Sequence, residues 1–295
     1  MKYLAKMVTK DIEEDETGTG LELTDELAEV VFGFDTEMLS DQLVQDFGYV
    51  TYNLMGGQCR WPVTCCVQRV HQQVGCRIWE AGVYLGELLA AMSSSGEFKG
   101  KTVLELGSGV GQTVVMLAAC KQCPAKIILT DNPPDVLSNL ERNIGISQDS
   151  YEAHRKLSMT SPHEDTDFSE LEAVYLNWAT ATSAECRAFQ ADVVIAADCM
   201  YAEDLIPGFV STMRHFINDS SRDLPPYALI ACTMRNELTF KAFMREMDDD
   251  PYLSYEVVTP WARAILVNPQ FVPSQANNIF MIKVFSTLGT TETKA

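Results

Sequence analysis

Seven residues, Glu105-Leu106-Gly107-Ser108-Gly109-Val110-Gly111, constrain this chain more than any other stretch. They close a short apolar strand, Thr102 to Leu106, and lead into a helical run from Thr113 to Ala119. A glycine-rich turn between a strand and its helix lets a ligand approach the backbone closely. The spacing excludes two phosphate loops. A dinucleotide fingerprint needs glycine at position 112, where Gln112 stands, and no G-x-x-x-x-G-K-[ST] occurs. Twenty residues after Gly111, at the end of the next strand, comes Asp131. A carboxylate there can accept both hydroxyls of a ribose. Loop and acid together predict a nucleoside-containing ligand; the plainer reading is that the glycines merely make a tight turn.

Around this loop, strands and helices alternate. Lys126 to Thr130, Val174 to Leu176, Asp192 to Ala197 and Tyr227 to Thr233 read as further strands. Helices are expected at about Trp79–Met92, Pro134–Asn143, Leu205–Phe216 and Glu237–Met247. Strands apolar on both faces, alternating with helices, predict a parallel sheet covered on both sides. The late strands, about Ser254–Val258 and Asn278–Phe285, have no long helix between them, so an antiparallel edge is expected. Residues 145–170 read as a polar insertion. Before the loop, Tyr49 to Ile78 reads as strands with a hairpin turn at Gly56-Gly57, and residues 21–46 as a short helix carrying Leu23, Leu27, Val30, Val31 and Phe34.

Charge narrows the partners. The 22 Lys+Arg against 41 Asp+Glu leave a formal charge of −19. Residues 10–46 hold thirteen acids and one base, Lys10. That segment reads either as a solvated leader or as an acidic lip for a basic protein. No basic patch marks a nucleic-acid binder. No stretch approaches the roughly 20 apolar residues of a membrane span, and no secretory h-region follows Met1. The nine cysteines show no disulfide framework; Cys120 and Cys123 form a C-x-x-C without a second pair at zinc spacing. His71, His154, His163 and His215 are scattered, so no metal is expected. A cytoplasmic monomer, with nuclear residence as a further option, fits these features.

E-x-G-x-G-x-G with an acid after the next strand resembles the class I methyltransferases that use S-adenosylmethionine. Ile78-Trp79-Glu80-Ala81, Leu176-Asn177-Trp178, Asp198-Cys199-Met200-Tyr201 and Thr233-Met234-Arg235-Asn236-Glu237 narrow the likeness. They resemble motifs of the seven-β-strand protein lysine methyltransferases, the methyltransferase-like family sixteen group, some of which modify a translation elongation factor. Ala179 stands where many members have glycine. The resemblance covers about residues 74–286 and implies a Rossmann-like, seven-stranded, mostly parallel sheet with an antiparallel C-terminal edge strand, helices on both faces and an N-terminal extension. The chain then divides into a disordered acidic leader (1–20), a helix and β-hairpin extension (21–73), a class I methyltransferase domain (74–288) and a flexible tail (289–295). It implies methyl transfer from S-adenosylmethionine to a protein, most simply to a lysine. Transfer to a protein histidine or a small molecule, and a non-catalytic cofactor-binding module, are the alternatives.

The residues expected at the cofactor are Trp79, Glu105, Gly107, Ser108, Gly109, Gly111, Asp131, Asn132, Trp178 and Ala197. Glu105 can accept from a backbone or ligand amine, and Asp131 from the ribose. Trp178 is either a wall of the pocket or a core residue, and Trp79 either a shield for the cofactor or the start of its helix. Asp198 and Tyr201 are the expected catalytic pair. A carboxylate after a buried strand is costly unless paired. Asp198 either orients a target ammonium or caps the helix beginning near Ala202. Tyr201 and apolar walls would exclude water and disfavour the ammonium.

Overall fold

Val103 and Leu104 are neighbours in sequence and lie in two different cores. Successive strand residues point to opposite faces, so a strand apolar at every position demands cover on both. The computed structural model describes residues 47–52, 59–68, 73–158, 168–219, 224–266 and 278–288. Its strands are β1 (Phe47–Tyr52), β2 (Val63–Gln68), β3 (Thr102–Leu106), β4 (Lys126–Asp131), β5 (Glu170–Tyr175), β6 (Val193–Ala197), β7 (Tyr227–Thr233), β8 (Leu253–Val257) and β9 (Ile279–Ser286). Its helices are α1 (Glu80–Ser93), α2 (Gln112–Ala118), α3 (Pro134–Ser158), α4 (Ser183–Ala188), α5 (Ile206–Ile217), α6 (Glu237–Asp249) and α7 (Thr259–Ile265).

Seven strands form one sheet in the order β5-β4-β3-β6-β7-β9-β8. The first five are parallel; β9 runs antiparallel to both β7 and β8. The expected antiparallel pairing is therefore present, with β9 inserted one place inward and β8 forming the edge. One face carries Leu85, Leu88 and Leu89 of α1 with Val114 and Leu117 of α2. The other carries Phe209 and Met213 of α5 and Phe243 of α6.

The chain leaves β3 toward β4 and β5, then returns to β6 on the other side of β3. That reversal opens a crevice beyond the C-terminal ends of β3 and β6, where open α/β sheets bind ligands.

Two expectations fail on tertiary packing. Helix α3 runs to Ser158, so residues 145–158 are helix rather than polar insertion. Its second half looks polar because its apolar contacts come from distant segments: Tyr151 stacks on Phe168 with centroids 4.6 Å apart and lies 5.5 Å from Trp61. Residues 74–76 form a 3-10 turn, not the end of a strand. A Cβ on Gly75 would lie 2.7 Å from the Val136 side chain, a close approach that glycine permits.

β1 and β2 pair antiparallel, from Phe47↔Gln68 to Tyr52↔Val63. Asn139 and Asn143 of α3 hold this hairpin. Cys66 donates its N–H to Asn143 Oδ1 at 2.6 Å, and both amides donate to the Cys66 carbonyl. Asn143 also donates to the Val110 carbonyl at 2.8 Å, tying hairpin, helix and glycine loop together. The leader, the helix over 21–46, the Gly56-Gly57 turn and the tail lie outside the described residues.

Candidate active site

Beyond β3 and β6 lies a cavity of about 550 Å³. Its wall takes in eleven of the twelve residues named from sequence: Trp79, Glu105, Gly107, Ser108, Gly109, Asp131, Asn132, Trp178, Ala197, Asp198 and Tyr201. Gly111 is the exception. It is the N-cap of α2 at φ 75°, and a Cβ there would meet Leu140 and Leu129 at 2.7 and 2.9 Å. Its glycine serves the packing of loop against β4 and α3.

Gly107 and Gly109 also have left-handed backbones, φ 66° and 56°. A Cβ on Gly107 would stand 2.8 Å from Cys199 Sγ and 3.1 Å from the Trp178 ring; one on Gly109 would stand 2.9 Å from the Gly75 carbonyl oxygen. Neither position can carry a side chain without displacing the cavity wall around it. The Ser108 N–H donates to the Thr130 carbonyl at 2.9 Å, which fixes the loop to β4.

Glu105 is 1% exposed. It shares a sheet face with Val103, toward α2, and its Oε2 has no hydrogen-bond partner among the described residues. Burial pushes its carboxyl up to about 8, against the pull of hydrogen bonds from Ser108 and Thr113, and nearby Asp131 adds to the rise. An unpartnered carboxylate oxygen is costly to bury. Its place in the cavity wall fits a cationic or N–H-donating ligand.

Asp131 braces the loop. Its Oδ2 accepts the Gly109 N–H and its Oδ1 the Asn132 N–H, both at 2.8 Å. Burial pushes its carboxyl up, and these two bonds oppose that. Trp178 lines the cavity and also packs edge-on against core residue Phe209, centroids 5.2 Å apart. Its indole N–H is buried without a partner among the described residues. Trp79 likewise lines the cavity and is the N-cap of α1, with its indole N–H donating to the Val74 carbonyl.

Asp198 adopts φ 53°, one of two non-glycine residues in that region among those described. It does not cap a helix, because neither Ala202 nor Leu205, the N-caps that follow, has a side-chain cap. Its carboxylate turns to β7 instead. Oδ1 accepts the Thr233 N–H at 2.8 Å; Oδ2 accepts Thr233 Oγ1 at 3.1 Å and Arg235 at 2.7 Å. The Arg235 guanidinium lies 4.9 Å from the Trp79 ring centroid, and that of Arg77 5.1 Å. Arg235 was legible as part of a motif, but nothing in the spacing told that it would meet Asp198.

Tyr201 lines the cavity yet is 57% exposed, so it stands at the rim and closes off no water by itself. Burial, with Cys199, Asp131 and Asp204 adding, pushes its hydroxyl up and keeps it neutral. Burial also pushes the Cys199 thiol far up, and its Sγ donates to the Leu106 carbonyl, so it is no nucleophile. Gly75, inside the misread 3-10 turn, and Arg77, directly after it, were missed as wall residues.

Fold, crevice and glycine cradle together define the class I methyltransferase architecture. The chain belongs to the lysine methyltransferase family, whose profile matches residues 65–250 and so begins within β2. A mouse relative, protein-lysine N-methyltransferase EEF2KMT, is 35% identical over 179 residues, covering 60% of this chain and 50% of the relative. Protein-lysine N-methyltransferase EFM3 of Chaetomium thermophilum is 28% identical over 261 residues, covering 83% and 69%. The chain spans about half the length of the mammalian relatives it matches. Among solved structures, an O-methyltransferase from Bacillus cereus in complex with SAH aligns at TM-score 0.42 and 11% identity, over 71% of this chain and 82% of that one.

Proposed function

We propose that this chain is an S-adenosylmethionine-dependent protein methyltransferase that modifies a lysine ε-amine, with a translation elongation factor as acceptor. The observation that carries the reading is the unpartnered, buried Glu105 oxygen in the wall of the cavity beside the glycine loop. It fits a ligand that brings an N–H donor.

In this reading, Gly107 and Gly109 give the cofactor close access to the backbone, Asp131 accepts from its ribose hydroxyls and Glu105 from its amine. Trp178, Asn132 and Ala197 shape the walls. S-adenosylmethionine, when bound there, supplies a methyl group on a positively charged sulfonium. Asp198 and the rim at Tyr201 receive the acceptor. A free lysine has a pKa of about 10.4, so the residues around the nitrogen must favour its neutral form. The rest is proximity, because holding two reactants in line removes much of the entropic barrier.

The formal charge of −19 supports a basic acceptor surface. All nine cysteines are free, which supports a reducing compartment such as the cytoplasm. No helix among the described residues is long and apolar enough to cross a membrane. The test is tritium transfer from labelled cofactor to a purified eukaryotic elongation factor, with the modified residue mapped by mass spectrometry. Label on lysine is expected; label on histidine, or none, overturns the reading.

A further inference from the structure

Asp198 does not face the cavity as a bare charge. Its side chain is 2% exposed, and Arg235 meets its Oδ2 at 2.7 Å. Three devices fix the pair. The Asp198 N–H donates to the Ala231 carbonyl at 2.9 Å, the Thr233 N–H and hydroxyl hold the carboxylate, and the Arg235 guanidinium lies over the Trp79 ring. The left-handed backbone of Asp198, costly for a residue with a Cβ, persists because these bonds over-determine it.

Such a pair has a chemical consequence for an amine acceptor. A bare carboxylate within a few ångströms favours the charged form of a neighbouring amine. A nitrogen held as ammonium has no lone pair with which to attack the methyl carbon. A carboxylate already paired with a guanidinium stabilises that extra proton far less. The remaining ionisable groups in the cavity wall are Glu105 from β3, Asp131 from β4, Asp204 and Tyr201 after β6, Cys199, and Arg77 before α1. Arg235 is the cation in contact with Asp198.

We infer that Arg235 is a positioning residue for methyl transfer: by pairing with Asp198 and resting on Trp79, it offsets the Asp198 carboxylate, so that this acid does not hold an incoming lysine as the ammonium. This rests on the lysine reading above.

The test is the pH dependence of initial tritium transfer onto a purified eukaryotic elongation factor at saturating cofactor. It compares wild type, Arg235→Gln and Arg235→Lys from about pH 6.5 to about pH 10, the range that brackets lysine deprotonation. Removing the guanidinium leaves the carboxylate uncompensated. The rising limb for Arg235→Gln is expected to move upward by about one pH unit or more, the size of an unscreened charge effect at short range. Arg235→Lys keeps the charge and should keep the wild-type limb, at a lower plateau because it loses the guanidinium contact with Trp79. A merely structural Arg235 would lower the rate of Arg235→Gln at every pH without displacing the limb, and that result overturns the inference. Calorimetric binding of S-adenosylhomocysteine reports whether each variant is folded. If Arg235→Gln is not, Arg235→Met, which keeps an alkyl stem against Trp79, makes the same comparison. Wild type that labels no lysine overturns the functional reading and this inference together; wild type that labels lysine, with an unmoved limb in the variant, overturns this inference alone.

Discussion

The Asp131 carboxylate accepts the backbone N–H of Gly109 at 2.8 Å, joining the acid at the end of β4 to the glycine loop after β3. Two parts of a nucleoside signature that sequence shows only as a spacing are thus one hydrogen-bonded unit. The acid both shapes the loop and lines the cavity.

Asp131→Ala should therefore weaken S-adenosylhomocysteine binding by about 1–3 kcal/mol, the range for hydrogen bonds to a charged group. It should also lower the melting temperature, because the Gly109 N–H loses its acceptor. Titration calorimetry and a thermal melt measure the two effects. Unchanged affinity in a folded variant would remove Asp131 from the ribose site.

Two glycine-to-alanine changes should move stability in opposite directions. At Gly109 the backbone is left-handed and the new Cβ would sit 2.9 Å from the Gly75 carbonyl oxygen. Left-handed backbone costs a residue with a Cβ roughly 1–2 kcal/mol before any clash, so Gly109→Ala should destabilise by at least about that much and lose ligand binding. Gly145 lies inside α3 with nothing within 4 Å of its Cβ position. Gly145→Ala should stabilise by about 0.5–1 kcal/mol, because glycine is the less favourable helix residue. Urea unfolding of the two variants checks the sign of each.

Glu105 makes stability and binding depend on pH in opposite senses. Its carboxyl is raised from 4.5 to about 8 by burial, so between those values the folded state holds a proton that the unfolded state has released. Its contribution to stability is therefore full below about pH 4.5 and is lost as pH rises toward about 8. Glu105→Gln should flatten that decline in the ligand-free protein. A cationic amine binds the ionised form, so cofactor affinity should rise with pH up to about 8 and release a proton at neutral pH. Calorimetry in buffers of different ionisation enthalpy measures the proton. Release of the same size in Glu105→Gln would exclude Glu105 as its source.

Asp198→Asn should retain cofactor binding and lose methyl transfer by a factor of about 10²–10⁴, the range for a positioned acid–base group. Asparagine tolerates left-handed backbone, and its amide oxygen can still accept the Thr233 N–H, although its amide nitrogen cannot accept from Arg235 as Oδ2 does. Because Asp198 caps no helix, the cost of the change falls on its pairing with Arg235 and on the site, and a thermal melt reads the first apart from the second. Normal turnover in this variant would sink the catalytic assignment.

The glycine loop, its strand and Asp131 were legible because they are local: each rests on a few consecutive residues whose backbone needs are written in residue type. The strand–helix alternation was legible for the same reason, since period and apolarity reveal a buried parallel strand. The full length of α3 was not, because its second half is held by Trp61 and Phe168, which lie far from it in sequence. Nor was the bracing of the loop by Asn143, a 0%-exposed amide that reads in sequence as one more polar helix residue.

The fate of Asp198 marks the boundary most clearly. Sequence alone determined that a carboxylate would follow a buried strand at the mouth of the nucleoside crevice, and that burying it would require a partner. It offered a helix cap or an incoming ammonium as that partner, because both were nearby in sequence or chemistry. The tertiary structure decided for Arg235, 37 residues away. β6 and β7 pair in parallel, Ala197 beside Ala231, so the turns that leave them are adjacent and the two charges meet. Local residue types determine what each turn needs, while sheet register determines which turns become neighbours and hence which charges compensate each other.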